Sequence, residues 1–169
     1  MKAKETLHYA IGGSTLGTVI VATSDRGVAA ILIADDASRA VRELRTAFPV
    51  TVLIEDQSRA GAALEAAIRL VDAPQSAFDP PLDLRGSKLE QAVWQALRAI
   101  PAGETRSYGA LAKVLPAPAT AQEVGAACAA NRIAVAVPCH RVVKADGGIS
   151  GYRWGVARKR KLIDMEGVA

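Results

Sequence analysis

Residues 133–143 read IAVAVPCHRVV, an apolar run that a proline, a thiol, an imidazole and a guanidinium interrupt. The run predicts a buried β-strand that ends or bulges at Pro138, because proline has no backbone N–H to donate to a neighbouring strand. In extended backbone Cys139 and His140 would point to opposite faces, so this break is needed if they are to cooperate. A nearby imidazole or positive charge lowers the pKa of a thiol and makes it nucleophilic. The stretch therefore indicates either a reactive Cys139 or a buried cysteine that only packs.

Composition predicts a globular protein with a substantial core. The chain has 169 residues, of which 50% are hydrophobic and 22% charged, enough for one domain or for two small ones that share an interface. The net charge of +4 mildly favours an anionic partner but is too small to establish nucleic-acid binding. Two cysteines, with His8 and His140 as the only other soft ligands, argue against a disulfide scaffold and a zinc site. We expect a reduced thiol in the cytoplasm, with no signal peptide and no membrane span.

The first half of the chain predicts an α/β scaffold without catalytic residues. Short β-prone runs, separated by Gly12-Gly13 and by a turn at residues 24–27, predict an antiparallel meander. Its strands are expected at residues 7–11, 17–23 and 28–33, with a possible edge strand at 51–54. Apolar periodicity predicts helices at residues 37–47, capped by Asp35 or Asp36, and at residues 60–71. A proline-containing segment, residues 73–86, is expected to cross in extended form to a second subdomain.

The second half predicts a series of short helices. Ser87 and Glu90 have the spacing of a capping box, and the helix they open carries an apolar stripe up to Ile100. Ser107 is a plausible N-cap for a short helix whose apolar residues are Leu111, Val114 and Leu115. A further helix at residues 120–131 is expected to face inward through Ala121, Val124, Gly125 and Cys128. The pair predicts a helix-turn-helix, or else an ordinary αα-hairpin, and we expect Cys128 to be a core thiol.

The last part of the chain predicts a pocket loop and a closing helix. Glycines beside Tyr152 and Trp154 suit a loop that approaches a flat ligand, although a surface loop is the alternative. The helix at residues 156–167 is expected to pack Leu162, Ile163 and Met165 inward. Its basic flank, residues 158–161, would suit either solvent or phosphate.

Several motifs together resemble the O6-alkylguanine-DNA alkyltransferases, the methylated-DNA–protein-cysteine methyltransferases. These are Pro-Cys-His-Arg-Val-Val at 138–143, Pro-Ala-Gly-Glu at 101–104 with Ser-Tyr at 107–108, Asn131, and Gly-Tyr at 151–152 with Gly155. Segments at 9–12, 16–17, 21–27 and 151–156 are most similar to the branch that forms the carboxy-terminal half of bacterial Ada proteins. The four cysteines of the Ada amino-terminal metal domain are absent, so this chain alone is not expected to be a phosphotriester-sensing activator.

The resemblance implies an α/β (α+β) fold in two parts. Residues 1–84 would form a ribonuclease-H-like scaffold with a small antiparallel sheet, and residues 85–169 a mostly helical winged-helix or helix-turn-helix-like domain. It also implies a cytoplasmic, monomeric protein that binds duplex DNA in the minor groove and flips out an alkylated guanine. The methyl group of O6-methylguanine, and of O4-methylthymine, would pass irreversibly to Cys139 without a cofactor or metal.

The family pattern assigns expected roles residue by residue. Cys139 would be the acceptor, His140 the base acting through a water, Glu166 the carboxylate that orients it, Asn131 a hinge and Tyr108 an aid to flipping. The DNA-binding residues would be Ala121, Gln122, Ala126, Ala129, Arg141, Thr105 and Ser107. The base pocket would be formed by Tyr152, Val142, Ser150, Gly151, Arg153 and Trp154.

One position departs from the pattern. The family usually has an arginine that fills the gap left by the flipped base, and the matching residue here is Gln122, followed by Glu123. Glutamine can hydrogen-bond the orphaned cytosine but carries no charge, and a carboxylate near phosphates is repulsive. We therefore expect weaker DNA affinity or slower flipping than is usual. A lesion-binding sensor of the alkyltransferase-like type and an unrelated Cys-His hydrolase are the alternative functions.

Overall fold

The computed structural model describes residues 4–167, which group into two compact units. The first consists of the chain up to Asp72 together with Ser76–Asp83, and the second of Ala73–Gln75 together with the chain from Leu84 onward. Within residues 4–167, no helix combines the length and the apolar character that crossing a membrane requires.

The first unit is built on a four-stranded sheet. The strands are β1 (Thr6–Ser14), β2 (Gly17–Ser24), β3 (Gly27–Ala34) and β4 (Val52–Glu55), in the order β3-β2-β1-β4. Tyr9 lies opposite Ala22 in the antiparallel β1–β2 pair, which agrees with the predicted meander. The sheet is not wholly antiparallel, because the edge strand β4 runs parallel to β1.

Strand β1 continues through the two glycines that were expected to end it. The turn lies instead between Ser14 and Gly17, which face each other in the last pair of the β1–β2 register. Gly12 is where helix α2 (Gln57–Asp72) lies against the sheet: a Cβ there would come within 2.8 Å of Ile68 Cδ1. Gly12 is thus a close-packing position within a strand, and glycine serves that purpose as well as it serves a turn.

Two capped helices complete the first unit. Helix α1 (Ala37–Ala47) is capped by Asp36, whose side chain accepts a hydrogen bond of 2.8 Å from the backbone N–H of Arg39. Helix α2 begins three residues earlier than expected because Asp56 accepts from the backbone N–H groups of Ser58 and Arg59. These residues form the scaffold that the sequence indicated.

The second unit begins with helix α3 (Lys88–Arg98), and the predicted capping box of Ser87 and Glu90 is present. Strand β5 (Arg106–Ser107) leads into α4 (Tyr108–Lys113), which Ser107 caps, and α5 (Ala121–Ala129) follows. The indole N–H of Trp94 on α3 donates a 2.9 Å hydrogen bond to the carbonyl of Ala127 on α5. This buried bond fixes the axial position of α5 against α3.

The inward faces of α4 and α5 differ in part from the expected ones. Val124, Ala127 and Cys128 are buried on α5, whereas Ala121 is exposed. Val114, expected to pack inward, lies just beyond α4 and is 70% exposed. Helix α4 is too short, at six residues, to bring Val114 back to the face of Leu111.

The expected strand at residues 133–143 does not form. Its first part is an irregular loop in which Val135 has φ of 66°, a left-handed conformation that is rare for a β-branched residue. Cys139–Arg141 then make one turn of 3₁₀ helix, and only β6 (Val142–Val143) pairs, in parallel with β5. Pro138 interrupts the extended backbone, as predicted, but most of residues 133–143 are irregular and not only those next to the proline. The chain ends with α6 (Val156–Met165).

Candidate active site

Cys139 opens the 3₁₀ turn and is 4% exposed. The side-chain amide of Asn131 donates a 3.4 Å hydrogen bond to its sulfur. Burial raises the pKa of the Cys139 thiol, while the hydrogen bond from Asn131 and the charge of Lys159 act in the opposite direction. The site therefore combines a thiol that is shielded from solvent with groups that stabilise its thiolate form.

Asn131 holds the loop that carries the thiol. Its side-chain N–H₂ donates to the carbonyl of Val137 at 3.0 Å, and its side-chain oxygen accepts from the N–H of Ile133 at 2.9 Å. The residue is almost fully buried directly after α5. Asn131 thus connects the end of α5 to Cys139.

His140 and Glu166 form the predicted pair. His140 Nε2 lies 3.0 Å from Glu166 Oε1, and both side chains are fully buried. Burial lowers the pKa of His140, and hydrogen bonding to Glu166 opposes this shift, so the imidazole is neutral near neutral pH. An ionised Glu166 accepts a hydrogen bond from the N–H group at Nε2, which leaves a lone pair on Nδ1. His140 Nδ1 is buried and has no hydrogen-bond partner within residues 4–167. It is the atom that can accept a proton.

Arg141 does not have the role expected of it. The residue is only 8% exposed, and Nε donates to Glu166 Oε2 at 2.9 Å, while Nη2 contacts the same oxygen. Nη1 donates to the carbonyl of Ile100 at 2.7 Å, and Nη2 to that of Pro74 at 3.2 Å. These buried bonds leave Arg141 as a structural partner of Glu166, which corrects its assignment as a DNA contact.

Glu166 is held ionised by its two neighbours. Burial alone would raise its pKa, but the hydrogen bonds from His140 and Arg141 hold the pKa of Glu166 below its usual value. A carboxylate with two such donors keeps His140 in a single tautomer and orientation. The arrangement can therefore draw a proton away from a neighbouring thiol.

A cavity of about 400 Å³ opens onto Cys139. It is lined by Tyr108, Gly125, Cys128, Ala129, Cys139, Gly151, Tyr152 and Arg153. Three residues that were expected in the pocket, Val142, Ser150 and Trp154, are not part of this lining, and Val142 and Trp154 are buried. Trp154 instead packs edge-on against Tyr152, with 5.3 Å between ring centroids, and so supports the wall from behind.

Cys128 is buried in the core, as its helix face predicted, and it also lines the same cavity as Cys139. Burial and the nearby Cys139 raise the pKa of Cys128 to about 12, against a smaller effect of Lys159. The cavity thus has two thiols, and His140, the candidate proton acceptor, follows Cys139 directly in the sequence.

Lys159 was expected on a basic flank that faces solvent or phosphate, but it is fully buried. Its Nζ donates to Ser150 Oγ at 2.9 Å and to the carbonyl of Gly151 at 3.3 Å. Ser150 Oγ in turn lies 2.5 Å from the hydroxyl oxygen of Tyr108. Spacing on α6 is the signal that could have found it, since Lys159 precedes the buried Leu162 and Ile163 by three and four residues.

The outer face of α5 consists mainly of small residues. Ala121, Gln122, Ala126 and Ala129 are exposed on it, as a surface for binding requires. Glu123 Oε1 accepts from the backbone N–H of Thr120 at 3.0 Å, so its carboxylate completes a capping box. Of the other expected DNA contacts, Ser107 caps α4 and Thr105 is half-buried.

Comparison with known proteins gives a consistent result. Residues 88–168 match the family described as 6-O-methylguanine DNA methyltransferase, DNA binding domain. The inducible methylated-DNA–protein-cysteine methyltransferase of Bacillus subtilis is 36% identical over 122 residues, which cover 72% of this chain and 68% of that protein. The chain belongs to the 6-O-methylguanine DNA methyltransferase family.

Two further relatives support the family membership. The bifunctional transcriptional activator/DNA repair enzyme Ada of Escherichia coli is 44% identical over 164 residues, which cover 95% of this chain. The chain spans about half the length of the Ada proteins it matches, 45% of the E. coli protein. A crystal structure of Mycobacterium tuberculosis OGT in complex with DNA is similar, with a TM-score of 0.77 and 37% identity, covering 94% of this chain and 92% of that chain. The resemblance and the mixed α/β class predicted from the sequence are confirmed.

Within this methyltransferase family member, the structure places several of the predicted site residues in contact. Asn131 is hydrogen-bonded to Cys139, His140 to Glu166, and Tyr108 shares the cavity with Tyr152. Sequence reasoning missed Lys159, the cavity position of Cys128 and that of Gly125. A Cβ on Gly125 would lie 3.8 Å from Cε1 of Tyr108, so the lack of a side chain at Gly125 leaves the space beside the Tyr108 ring open.

Proposed function

We propose that the protein repairs DNA by direct reversal. It transfers the methyl group of O6-methylguanine, and of O4-methylthymine, in duplex DNA to its own Cys139, once and irreversibly. The observation that carries this proposal is the Cys139 thiol facing a cavity, next to a buried His140–Glu166 pair. The names of the B. subtilis and M. tuberculosis relatives, methylated-DNA–protein-cysteine methyltransferases, support it.

The proposed chemistry is a displacement at the methyl carbon. His140 Nδ1, the free acceptor in the buried pair, takes the thiol proton of Cys139 through a water molecule. The thiolate attacks the methyl carbon, a sulfur–carbon bond forms, and the bond from that carbon to the base oxygen breaks. Glu166 stabilises the imidazolium that results. Since a thioether does not return the methyl group, each molecule reacts once.

The proposed binding site for the base is the cavity beside Cys139. Its walls combine two tyrosine rings, Tyr108 and Tyr152, with the small residues Gly125, Ala129 and Gly151, a lining that suits a flat heterocycle. The base must leave the duplex to reach it, at a cost of a few kcal/mol that is smaller for a mispaired lesion.

The proposed DNA-binding element is α5. Its exposed face carries Ala121, Ala126 and Ala129, which are small enough for a minor groove about 6 Å wide. Gln122 lies on the same face and would occupy the space that the flipped base leaves. Residues 85–169 are proposed as the DNA-binding and catalytic domain, and residues 1–84 as its scaffold. We further propose that the protein acts as a monomer in the cytoplasm.

The alternative functions have less support. A lesion sensor would need no thiol with an oriented proton acceptor, and the relatives are named as methyltransferases. A Cys-His hydrolase would need an oxyanion site, which the sequence does not indicate. Gln122 remains the one feature that favours a sensor.

The decisive experiment is a mass measurement. The protein is incubated with duplex DNA that carries O6-methylguanine, and its intact mass is compared with that from unmodified duplex. One added methyl group, mapped to the peptide that contains Cys139, is the expected result. Binding to the damaged duplex without any adduct would identify a sensor instead.

A further inference from the structure

A chain of hydrogen bonds leads from a buried cation into the cavity. Lys159 Nζ donates to Ser150 Oγ at 2.9 Å, and Ser150 Oγ lies 2.5 Å from the hydroxyl oxygen of Tyr108. Lys159 is fully buried, while Tyr108 lines the cavity beside Cys139. The three residues come from α6, from the loop before it and from α4. Three separate segments therefore converge on one polar path.

The donor properties of these groups give the path a direction. An ammonium group only donates, so Ser150 Oγ must accept from Lys159. The single hydrogen of Ser150 is then available for the oxygen of Tyr108, which leaves the phenolic hydrogen of Tyr108 free for an acceptor in the cavity. All three donors can thus point the same way, from Lys159 towards a bound base.

We propose that Ser150 is a positioning residue that joins Lys159 to Tyr108 in a proton relay serving the departing base. The inference rests on the proposed methyl transfer and deepens it. Tyr108 is the group that would touch the base, and Ser150 and Lys159 act through it. The sequence assigned Ser150 only to the pocket wall and Lys159 to a solvated flank.

The relay supplies the proton that the departing base needs. When the bond between the methyl carbon and the base oxygen breaks, its electron pair stays on the base, which becomes an anion. Tyr108 gives its proton to a ring nitrogen of that anion, Ser150 gives its proton to Tyr108, and Lys159 gives one to Ser150. The base leaves neutral and Lys159 ends as an amine. The thiol proton of Cys139 is on His140, and both groups then re-equilibrate with solvent.

The surroundings suit these roles. Burial lowers the pKa of Lys159, against the influence of the two thiols, so the ammonium releases a proton more readily than an exposed lysine does. Burial raises the pKa of Tyr108, and the hydrogen bond with Ser150 opposes the shift, so the phenol stays protonated until an anion forms beside it. A proton donor must keep its proton until the leaving group needs it.

The test compares two reactions of the same thiol in the wild type, Ser150→Ala and Ser150→Thr. Methyl transfer from O6-methylguanine duplex needs a proton for the leaving base, whereas alkylation of Cys139 by iodoacetamide releases iodide, which needs none. We expect Ser150→Ala to slow single-turnover methyl transfer by about tenfold or more while iodoacetamide reacts at a similar rate. Ser150→Thr keeps a hydroxyl group and should recover most of the lost rate.

The pH dependence gives a second readout. In the wild type the transfer rate should fall as rising pH deprotonates Lys159, and this fall should be absent in Ser150→Ala. Equal slowing of both alkylations in Ser150→Ala, or no slowing of either, would overturn the relay while methyl transfer itself stands. If the wild type forms no methyl adduct on Cys139, the proposed function fails and the relay fails with it.

Discussion

Two thiols line one cavity, and their surroundings differ in almost every respect except burial. Cys139 begins a 3₁₀ turn, accepts a hydrogen bond from Asn131 and is followed in sequence by His140. Cys128 lies within α5, and burial raises its pKa to about 12. Burial raises the pKa of Cys139 as well, so exposure does not distinguish the two.

The difference lies in what can remove the proton and stabilise the resulting charge. Cys139 is followed in the sequence by His140, whose own partner is the ionised carboxylate of Glu166. Within residues 4–167, the group that lowers the pKa of Cys128 is Lys159, whose charge acts on both thiols. We therefore expect the reactive thiol to be the one carried by the loop after Asn131, and the thiol on α5 to be unreactive.

The largest expected effect separates the two thiols directly. Cys139→Ala should abolish the methyl adduct, whereas Cys128→Ala should still form a single adduct, because Cys139 is the proposed acceptor and His140 its proposed base. Intact mass after incubation with O6-methylguanine duplex checks both variants. An adduct in Cys139→Ala that disappears in the double variant would reverse the assignment and make Cys128 the acceptor.

Glu166→Gln should make Cys139 behave more like Cys128. A glutamine amide can donate as well as accept, so it no longer holds the His140 tautomer that leaves Nδ1 free, and methyl transfer should slow by about 100-fold. The unfolding free energy should also fall by about 3 kcal/mol, because Arg141 loses its buried partner. Single-turnover kinetics and urea unfolding measure the two effects.

A matched control for this variant lies two residues earlier in the sequence. Asp164 on α6 is exposed, so Asp164→Asn removes an equal charge without touching the buried pair. Its transfer rate and stability should be those of the wild type. If Glu166→Gln and Asp164→Asn behave alike, the His140–Glu166 pair does not distinguish Cys139 from Cys128.

At alkaline pH the burial of Cys128 should lower the free energy of unfolding. A group whose folded pKa is raised stabilises the fold below its unfolded pKa, and this contribution is lost as pH rises through the folded value. For Cys128 the interval runs from its ordinary value of 9.0 to about 12. Between pH 9 and 11 the wild type should therefore lose on the order of 2 kcal/mol more unfolding free energy than Cys128→Ala. Urea unfolding across that pH range measures the difference; parallel curves would mean that Cys128 titrates normally.

Local signals predicted much of the fold. The Ser87–Glu90 capping box, the cap of α1 and the short helices of the second unit could be read because caps and periodicity depend on neighbouring residues. The backbone of residues 133–143 could not be predicted in this way, because the apolar character of these residues reflects their burial and not an extended conformation. The side chain of Asn131 replaces strand pairing there, and hydrogen bonds of that kind leave no periodic pattern.

The candidate site was predictable where a motif names the residue. Cys139, His140 and Glu166 were identified and lie together, whereas Arg141 was misassigned because a basic side chain beside a DNA-binding motif suggests phosphate. Lys159 was missed for the related reason that charge runs are usually solvated. The partners that bury these two cations come from distant segments, and no local pattern reveals them.

The smallest expected effect concerns delivery of the base and not the thiols themselves. Gln122 is exposed on α5, where Gln122→Arg adds a charge near the phosphates, so we expect a few-fold faster methyl transfer from duplex DNA. The reaction of Cys139 with iodoacetamide should not change, because Gln122 does not line the cavity. Ala126→Arg on the same exposed face is the matched control: it adds the same charge one helical turn away, and it should not reproduce a gain that depends on filling the space of the flipped base. An unchanged or lower rate in Gln122→Arg would mean that glutamine already fills the space of the flipped base as well as arginine does. The different reactivities expected of Cys139 and Cys128 would then depend on the cavity and not on delivery of the base.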